Sequence, residues 1–376
     1  MTANDSTLAA IALRMTPGIG VRGAVHLLET FGDAQAVFAA SADELAVRAE
    51  LRPEPARAIV QRTAFAAAEK ELRYCARHGV QVLASTDPDY PPLLRELPDY
   101  PTVLYVQGDP AALTRRMLSI VGTRKATAYG QTVCTRLVEG LARRVPDLCI
   151  VSGLAFGIDA AAHRAALAAG VPTVGVLANV LPQISPAQHT ALARELLDRG
   201  GALVTEFDSQ TPQKGTGFIA RNRIIAGLSA GTILVESPES GGSLHTAACA
   251  DDYHRVVMAV PGRITDPSSR GTNHLIYSHK AQLIQSAGDV IRELMWDLGP
   301  EAVPVPAPTA APQLTPEEAQ LLGCFPASDP LTVEELGRLS RCDTGALYAL
   351  LVGLELAGAV RQLPGHRYVK IARVCN

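Results

Sequence analysis

From about residue 117 to residue 298 short apolar runs alternate with helical stretches, and this alternation restricts the fold more than any other feature of the chain. The runs are LSIVG, LCIVSG, TVGVLA, ALVTE, TILVES and RVVMAV. Strands that alternate with helices make βαβ units, and their right-handed crossovers lay the strands parallel with helices on both faces. The fold class expected here is α/β, built on a parallel, doubly wound sheet.

The flanks read differently. Residues 1–85 are helical: LAAIALRMTPGIGVRGAVHLLETFG has helix-spaced apolar positions on either side of the break Pro17-Gly18-Ile19-Gly20. Two short helices joined by a G-I-G turn resemble a helix-hairpin-helix whose amides touch phosphates, but since only Arg22 supplies charge nearby the reading preferred is a plain helix connection at a tight corner. DPDYPPLLRELPDYPTVLYVQGDP is an extended lead-in with room for one added strand, and it opens a domain over 86–298. A Pro/Ala linker follows at 299–313, stiff and without core-forming residues. Residues 314–376 give three helical patterns and then AVRQLPGHRYVKI, two strands around Pro364-Gly365, a winged-helix-like order.

Composition narrows the function classes. With 376 residues, 47% of them apolar, the chain is long enough for two or three real cores. A net charge of −3 excludes a bulk polycation, so an anion site must be a local cluster. The start, MTANDSTLAAIALRM, lacks a signal-peptide pattern, and no apolar stretch approaches the roughly 20 residues of a membrane span. The seven cysteines include no C-x-x-C pair and the histidines show no ligand spacing, so reduced thiols in a cytoplasm and no metal are expected.

Ligands of open α/β sheets sit beyond the carboxyl ends of the strands. Gly122-Thr123-Arg124-Lys125 follow the first run and Ser152-Gly153-Leu154-Ala155-Phe156-Gly157 the second. Further on come Lys214, Arg221-Asn222-Arg223 at an expected helix start, Gly241-Gly242-Ser243, Arg263, and Arg270 to Asn273. Glycines admit close approach, helix N-termini offer free amides, and arginines bring charge and paired donors. The sheet region holds 16 basic and 15 acidic residues, so it is the placement of charge that points to an anion site.

Enzyme patterns fit poorly. G-x-G-x-x-G is absent after the first strand, as is G-x-x-x-x-G-K-[ST]. GLSAG matches G-x-S-x-G, but it precedes a strand instead of following one, so Ser229 is not read as a nucleophile. Asp159 and His163 lie one helical turn apart; the reading preferred is that Asp159 caps its helix while His163 packs at the helix surface. ESGGSLHTAA faintly resembles the P-G-G-x-G-T-x-x-E loop of lysine-decarboxylase-like nucleotide phosphoribohydrolases, with Ala248 at the place of the glutamate and Leu244 at the third glycine. The phosphate-gripping half remains and the carboxylate is missing.

In order and spacing, IVGTRKATAYG, VSGLAFGIDAAAHRAAL, ARNRIIAGLS, SGGSLHTA and AVPGRITDPSSRGTNHLI resemble the DNA-processing protein A (DprA/Smf) family over nearly the whole chain. The resemblance implies a helical N-terminal domain, an extended Rossmann-like domain and a small winged-helix-like domain. It also implies single-stranded DNA binding, dimerisation through the Rossmann-like domain, loading of the RecA recombinase in natural transformation, and no enzymatic activity or cofactor. The family's DNA pocket maps onto Gly122, Arg124, Lys125, Ser152, Gly153, Arg221, Asn222, Arg223, Gly242, Ser243 and Asn273, and the sheet-edge charge adds Lys214 and Arg270.

The chain departs from the family pattern at three places. Phe156 stands where SGLARGID has arginine, Ala220 where a further basic residue is common, and ANVLPQISPAQH replaces a glycine-rich, Tyr-Pro loop. Phe156 either stacks on a base or seals its loop. The candidate recognition helix, DTGALYALLVGLELAG, carries Asp343 and Glu355 but no Arg or Lys, which reads as a protein-interaction module.

Overall fold

The computed structural model describes residues 3–210, 217–296, 315–326, 330–340, 342–356, 359–363 and 367–370. Contacts divide the chain into two units, Met1–Gly299 and Pro300–Asn376. The expected 299–313 linker, Lys214 and the Pro364-Gly365 turn lie outside the described residues.

The N-terminal part of the first unit is helical, with α1 (Ala3–Met15), α2 (Val21–Phe31), α3 (Ala34–Ala39), α4 (Ala42–Ala49), α5 (Pro53–Val60) and α6 (Phe65–His78). The Pro17–Gly20 break separates α1 from α2 as the apolar spacing predicts. Gly18 takes φ +82° at the corner, and Ile11, Leu13, Leu27, Val37, Leu45 and Ile59 close a core beneath it.

Nine strands follow: β1 (Gln81–Ala84), β2 (Val103–Gly108), β3 (Arg116–Val121), β4 (Leu148–Ser152), β5 (Thr173–Val176), β6 (Ala202–Thr205), β7 (Gly231–Leu234), β8 (Val256–Ala259) and β9 (Gln282–Leu283). They form one sheet in the order β1-β2-β6-β5-β4-β3-β7-β8-β9. All neighbours from β6 to β9 pair in parallel, while β2 runs antiparallel to both β1 and β6. The six apolar runs are β3 to β8, and β2 is the strand added by the lead-in. β1 corrects the reading of residues 1–85 as wholly helical, since it joins the sheet's edge.

Helices cover both faces: α7 (Pro92–Arg95), α8 (Ala128–Ala142), α9 (Ile158–Ala168), α10 (Thr190–Asp198), α11 (Gly217–Leu228), α12 (Ser243–Asp252), α13 (Arg270–Tyr277) and α14 (Ala287–Glu293). The period-2 alternation of a strand separates the two layers. On β3, Met117 and Val121 enter the core that holds Ile224, Ile225 and Ala247, whereas Leu118 and Ile120 enter the core of Leu137, Leu141 and Ile158. Ser119, on the same face as Met117, donates from Oγ to the Ile225 carbonyl at 2.7 Å and sits 2.7 Å from Ser229 Oγ. Ser229 is fully buried there, which leaves it no approach to a substrate.

The strand order reverses at β3: β4 to β6 extend to one side, β7 to β9 to the other. That reversal opens a crevice outside the carboxyl ends of β3 and β7, where open sheets bind their ligands.

The second unit has α15 (Pro316–Gly323), β10 (Leu331–Thr332), α16 (Val333–Ser340), α17 (Thr344–Leu356), β11 (Val360–Leu363) and β12 (Arg367–Lys370), with strand order β10-β12-β11. This is a winged helix whose core is Leu321, Phe325, Leu336, Leu347, Leu351, Leu354 and Tyr368. Asp343, just before α17, and Glu355 within it both make local hydrogen bonds: Asp343 Oδ1 accepts from Gly345 N at 2.8 Å, and Glu355 Oε1 accepts from Gln362 N at 3.2 Å. Tyr348 and Val352 are exposed on the same helix.

His163 is not at the surface of its helix as expected; it is fully buried under β5, 2.7 Å from Thr173 Oγ1. Thr173 donates its own proton to the Ile150 carbonyl at 2.7 Å, so the imidazole is the donor through Nδ1 and is neutral. Burial first, then the nearby charges of His189, Arg221 and Arg164, push its pKa down to about 3. An unfolded histidine titrates near about 6.5. The stabilising contribution of neutral His163 is therefore complete above about pH 6.5 and declines as pH falls towards 3, by about 1.4 kcal/mol per pH unit. A His163→Asn variant removes that proton from the balance. Urea unfolding at several pH values between about 7 and 5 should show a shallower acid loss of stability in the variant than in the wild type.

Candidate functional site

The loop after β3 is fixed by its backbone, which leaves its two cationic side chains outside. Thr123 N donates to the Glu236 carbonyl at 2.7 Å, and Lys125 N to Thr123 Oγ1 at 3.2 Å. Thr127 caps α8 by accepting from Gly130 N at 3.2 Å, while its own N and Oγ1 donate to the buried Glu236 carboxylate at 2.9 and 2.6 Å. Arg124 and Lys125 are exposed on this braced turn, and the Arg124 guanidinium lies 5.4 Å from the ring centre of Phe218.

The loop after β4 forms the floor. Ser152 is fully buried and donates from Oγ to the Ile120 carbonyl at 2.6 Å, joining β4 to β3. Gly153 lies against the Arg221 guanidinium, and any side chain there would collide with it. Gly157 holds φ +78° with its Cα packed on the Thr123 carbonyl, a position and conformation that only glycine satisfies without strain. Asp159 departs from its expected role, because the residue at the cap of α9 is Gly157 and the helix has no side-chain cap. Its carboxylate reaches back instead and accepts from Gly153 N at 3.2 Å and Ala155 N at 3.4 Å.

Helix α11 forms the third wall, and its 100° step per residue sends the R-N-R triplet three ways. Arg221 is buried, 5% exposed, and donates from Nη1 to the Val176 carbonyl at 2.8 Å. Burial pushes the Asp159 carboxyl up and the Arg221 guanidinium down from their ordinary values, and each charge opposes the other's shift. Asn222 donates from Nδ2 to the Gly242 carbonyl at 3.4 Å, closing the gap to α12. Arg223 turns away from the others. It is paired with Glu206 and donates to the Asp99 carbonyl at 2.7 Å, so the structure does not bring it to the site. Burial raises the Glu206 carboxyl and Arg223 draws it back.

Together these loops enclose a cleft of about 430 Å³. Of the residues singled out in the sequence, Gly122, Arg124, Lys125, Arg221, Asn222, Gly242 and Ser243 line it. Ser243 is the first residue of α12, whose N-terminus has no side-chain cap and opens on the cleft. Ser152 and Gly153 lie beneath the cleft, and Arg270, Asn273 and Phe156 are not among its lining residues. Asn273 brackets Gly262 instead, accepting from its N and donating to its O, both at 3.0 Å. Arg270, exposed, begins α13. Phe156 is 44% exposed with its ring 4.8 Å from that of His189, edge on.

Sequence reasoning missed Phe218, Ile219, His245 and Thr246, which also line the cleft. Phe218 is 43% and Ile219 59% exposed. Two large apolar residues just ahead of the R-N-R triplet were a readable signal, because nothing in a buried helix face requires them to point outwards. Among the described residues no cluster of His, Cys, Asp or Glu is placed to hold a metal ion, and no helix is long and apolar enough to cross a membrane.

A doubly wound sheet with cations, a helix N-terminus without a side-chain cap and exposed apolar side chains at its switch point defines an α/β protein of the kind that meets ligands there. Residues 81–295 match the family model of DNA recombination-mediator protein A, and residues 305–366 that of the DprA winged helix domain. The chain is 36% identical over 314 residues to Protein Smf of Escherichia coli (strain K12), covering 82% of each chain. It is 35% identical over 310 residues to a putative DNA processing protein DprA of Mycobacterium tuberculosis, covering 77% of each. The X-ray structure of DNA processing protein A from Streptococcus pneumoniae superimposes with TM-score 0.64 at 31% identity, over 75% of this chain and 95% of that one. DNA processing protein A from Helicobacter pylori, whose structure describes a single-stranded DNA binding mode, gives TM-score 0.51 at 28% identity, over 58% of this chain and 96% of that one. The chain belongs to the DNA recombination-mediator protein A family.

The two arginine environments predict opposite effects on stability. Arg223→Ala leaves Glu206 buried without its partner and should lower the free energy of unfolding by about 3 kcal/mol. Arg124→Ala, on an exposed loop, should change it by no more than about 0.5 kcal/mol. Urea unfolding of the two variants checks both.

Proposed function

We propose that this protein binds single-stranded DNA along the cleft at its switch point and loads RecA recombinase onto that strand in transformation and recombination. The observation that carries the reading is the cleft wall itself: exposed Arg124 and Lys125 beside exposed Phe218 and Ile219. Cations track a phosphate backbone, and an aromatic face accepts any unstacked base. A duplex offers its phosphates but hides its base faces, so this combination favours the single strand. The single-stranded DNA mode described for the Helicobacter pylori relative supports the same assignment.

A nucleotide-processing enzyme on this sheet needs a free carboxylate near the glycosidic bond. Ala248 stands where the related hydrolases have one, and Asp159, which does line the cleft, is held by the Gly153 and Ala155 amides next to Arg221. Binding without catalysis or cofactor is the reading these residues support.

We place the protein in the cytoplasm as a homodimer formed through the Rossmann-like domain. The exposed edge strand β9, with Leu283 46% and the nearby Tyr277 83% exposed, supports such pairing. The apolar exposed face of α17 supports a protein partner for the winged helix in preference to a DNA groove.

Fluorescence anisotropy with labelled oligo-dT and a matched duplex tests the reading. The single strand should bind far more tightly, with affinity falling as salt rises, and equal affinity for the duplex would overturn it. Arg124→Ala and Lys125→Ala should each flatten the slope of log affinity against log salt by about 0.7. Phe218→Ala should remove about 1–3 kcal/mol of binding with the slope unchanged. Nucleoside monophosphates should release no free base on incubation with the protein.

A further inference from the structure

We propose that Glu71, on helix α6 of the N-terminal helical region, is a positioning residue for the cleft: it clamps residues 206–210, which follow β6, so that the Phe218–Arg221 turn is held opposite the loop that carries Arg124. The proposal rests on the single-strand reading and adds to it a task for the N-terminal helices.

Glu71 is 1% exposed, and a carboxylate so deeply buried is stable only when donors surround it. Apart from the Cys75 thiol on α6 itself, which donates to Oε1 at 3.8 Å, its donors come from one residue beyond β6. Ser209 N donates to both carboxylate oxygens, at 3.0 and 3.1 Å, and Ser209 Oγ donates to one of them at 2.5 Å. One turn earlier on the same face of α6, the Ala67 carbonyl accepts from Gln210 Nε2 at 2.9 Å. Two successive residues of this stretch are thus tied to two successive turns of α6.

The near end of the same stretch is tied to α11. Glu206 pairs with Arg223, and the Phe207 ring lies 3.4 Å from where a side chain on Gly217 would begin. Phe218 and Ile219 come next, followed by Arg221 and Asn222, all lining the cleft. The position of α6 is therefore passed to the cleft wall through Ser209 and Glu206. Attachment of the helical region does not require Glu71, because Ala9, Leu13 and Leu27 share one apolar core with Leu192, Leu196 and Leu203 of the sheet region. A buried charge that fixes a loop, beside a core that already fixes the domain, sets position.

Glu71→Gln and Ser209→Ala in the full-length protein test the proposal. The amide nitrogen of glutamine cannot accept from Ser209, and alanine removes the hydroxyl donor. Each variant should bind oligo-dT about tenfold more weakly, with the salt slope unchanged because Arg124 and Lys125 are untouched. The two losses should be less than additive, since both weaken the one Glu71–Ser209 contact: Ser209→Ala leaves the main-chain N–H bonds and Glu71→Gln leaves one acceptor oxygen. Amide hydrogen exchange at residues 218–221 should accelerate in each, a readout that a merely structural contact elsewhere would leave alone. If Glu71→Gln does not fold, Ser209→Ala carries the same test. Variants folded by circular dichroism that keep wild-type affinity and wild-type exchange overturn the proposal, and so does an affinity loss accompanied by a reduced salt slope. If the wild-type protein does not bind oligo-dT, the single-strand reading fails by itself, and the exchange rates alone decide on the clamp.

Discussion

Arg221 brings a guanidinium into a place with almost no water, and the cleft is arranged around what that requires. An unpaired buried charge costs several kcal/mol, so Asp159 lies beside it and the Val176 carbonyl takes a donor. Asp159 in turn is buried, and the amides of Gly153 and Ala155 converge on it. Gly153 has no room for a side chain because the guanidinium fills that space. Residues from β4, α9, α11 and the end of β5 are thereby locked to one another at the switch point, and the exposed loop of Arg124 rests on this floor through Gly157 and the Thr123 carbonyl.

The lock separates two tasks that one residue type performs here. Arg221 is buried with a donor given to the Val176 carbonyl, and Arg223 is paired with Glu206, whereas Arg124 and Lys125 remain exposed. Only exposed cations release counterions to an arriving phosphate, so on the proposed reading salt dependence belongs to the β3 loop and rigidity to α11. This division is how a chain with net charge −3 offers a local anion site.

Much of this was legible in the sequence, for identifiable reasons. Strands β3 to β8 are continuous apolar runs because both of their faces are covered, and such runs stand out from alternating patterns. The two-residue strands β9 and β10 are too short to leave a pattern, and β1 sits directly after a long helix whose periodicity masks it. His163 was misplaced because AAAHRAALAA has too little contrast between polar and apolar positions to show which side of α9 is buried. Arg223 was misread because R-N-R looks like a single charge cluster along the sequence, while a helix turns neighbouring residues to different faces. Its partner Glu206 is 17 residues away, a separation no local pattern reveals.

What the cleft presents also explains what it can discriminate. Base identity is read by paired donors and acceptors aimed at base edges, as with an arginine on guanine or an asparagine on adenine. Asn222 is one lining residue of that kind, and its amide is turned to the Gly242 carbonyl, where it closes the wall between α11 and α12; Arg124, another, stays exposed. Arg221, on the floor, gives one donor to the Val176 carbonyl and lies near the charge of Asp159. The groups left free are flexible cations, which follow charge, and the faces of Phe218 and Ile219, which accept any base. On the single-strand reading little sequence preference is expected, because Asn222 and Arg221 help to hold the walls and leave Arg124, among the described lining residues, as the arginine free to meet a base.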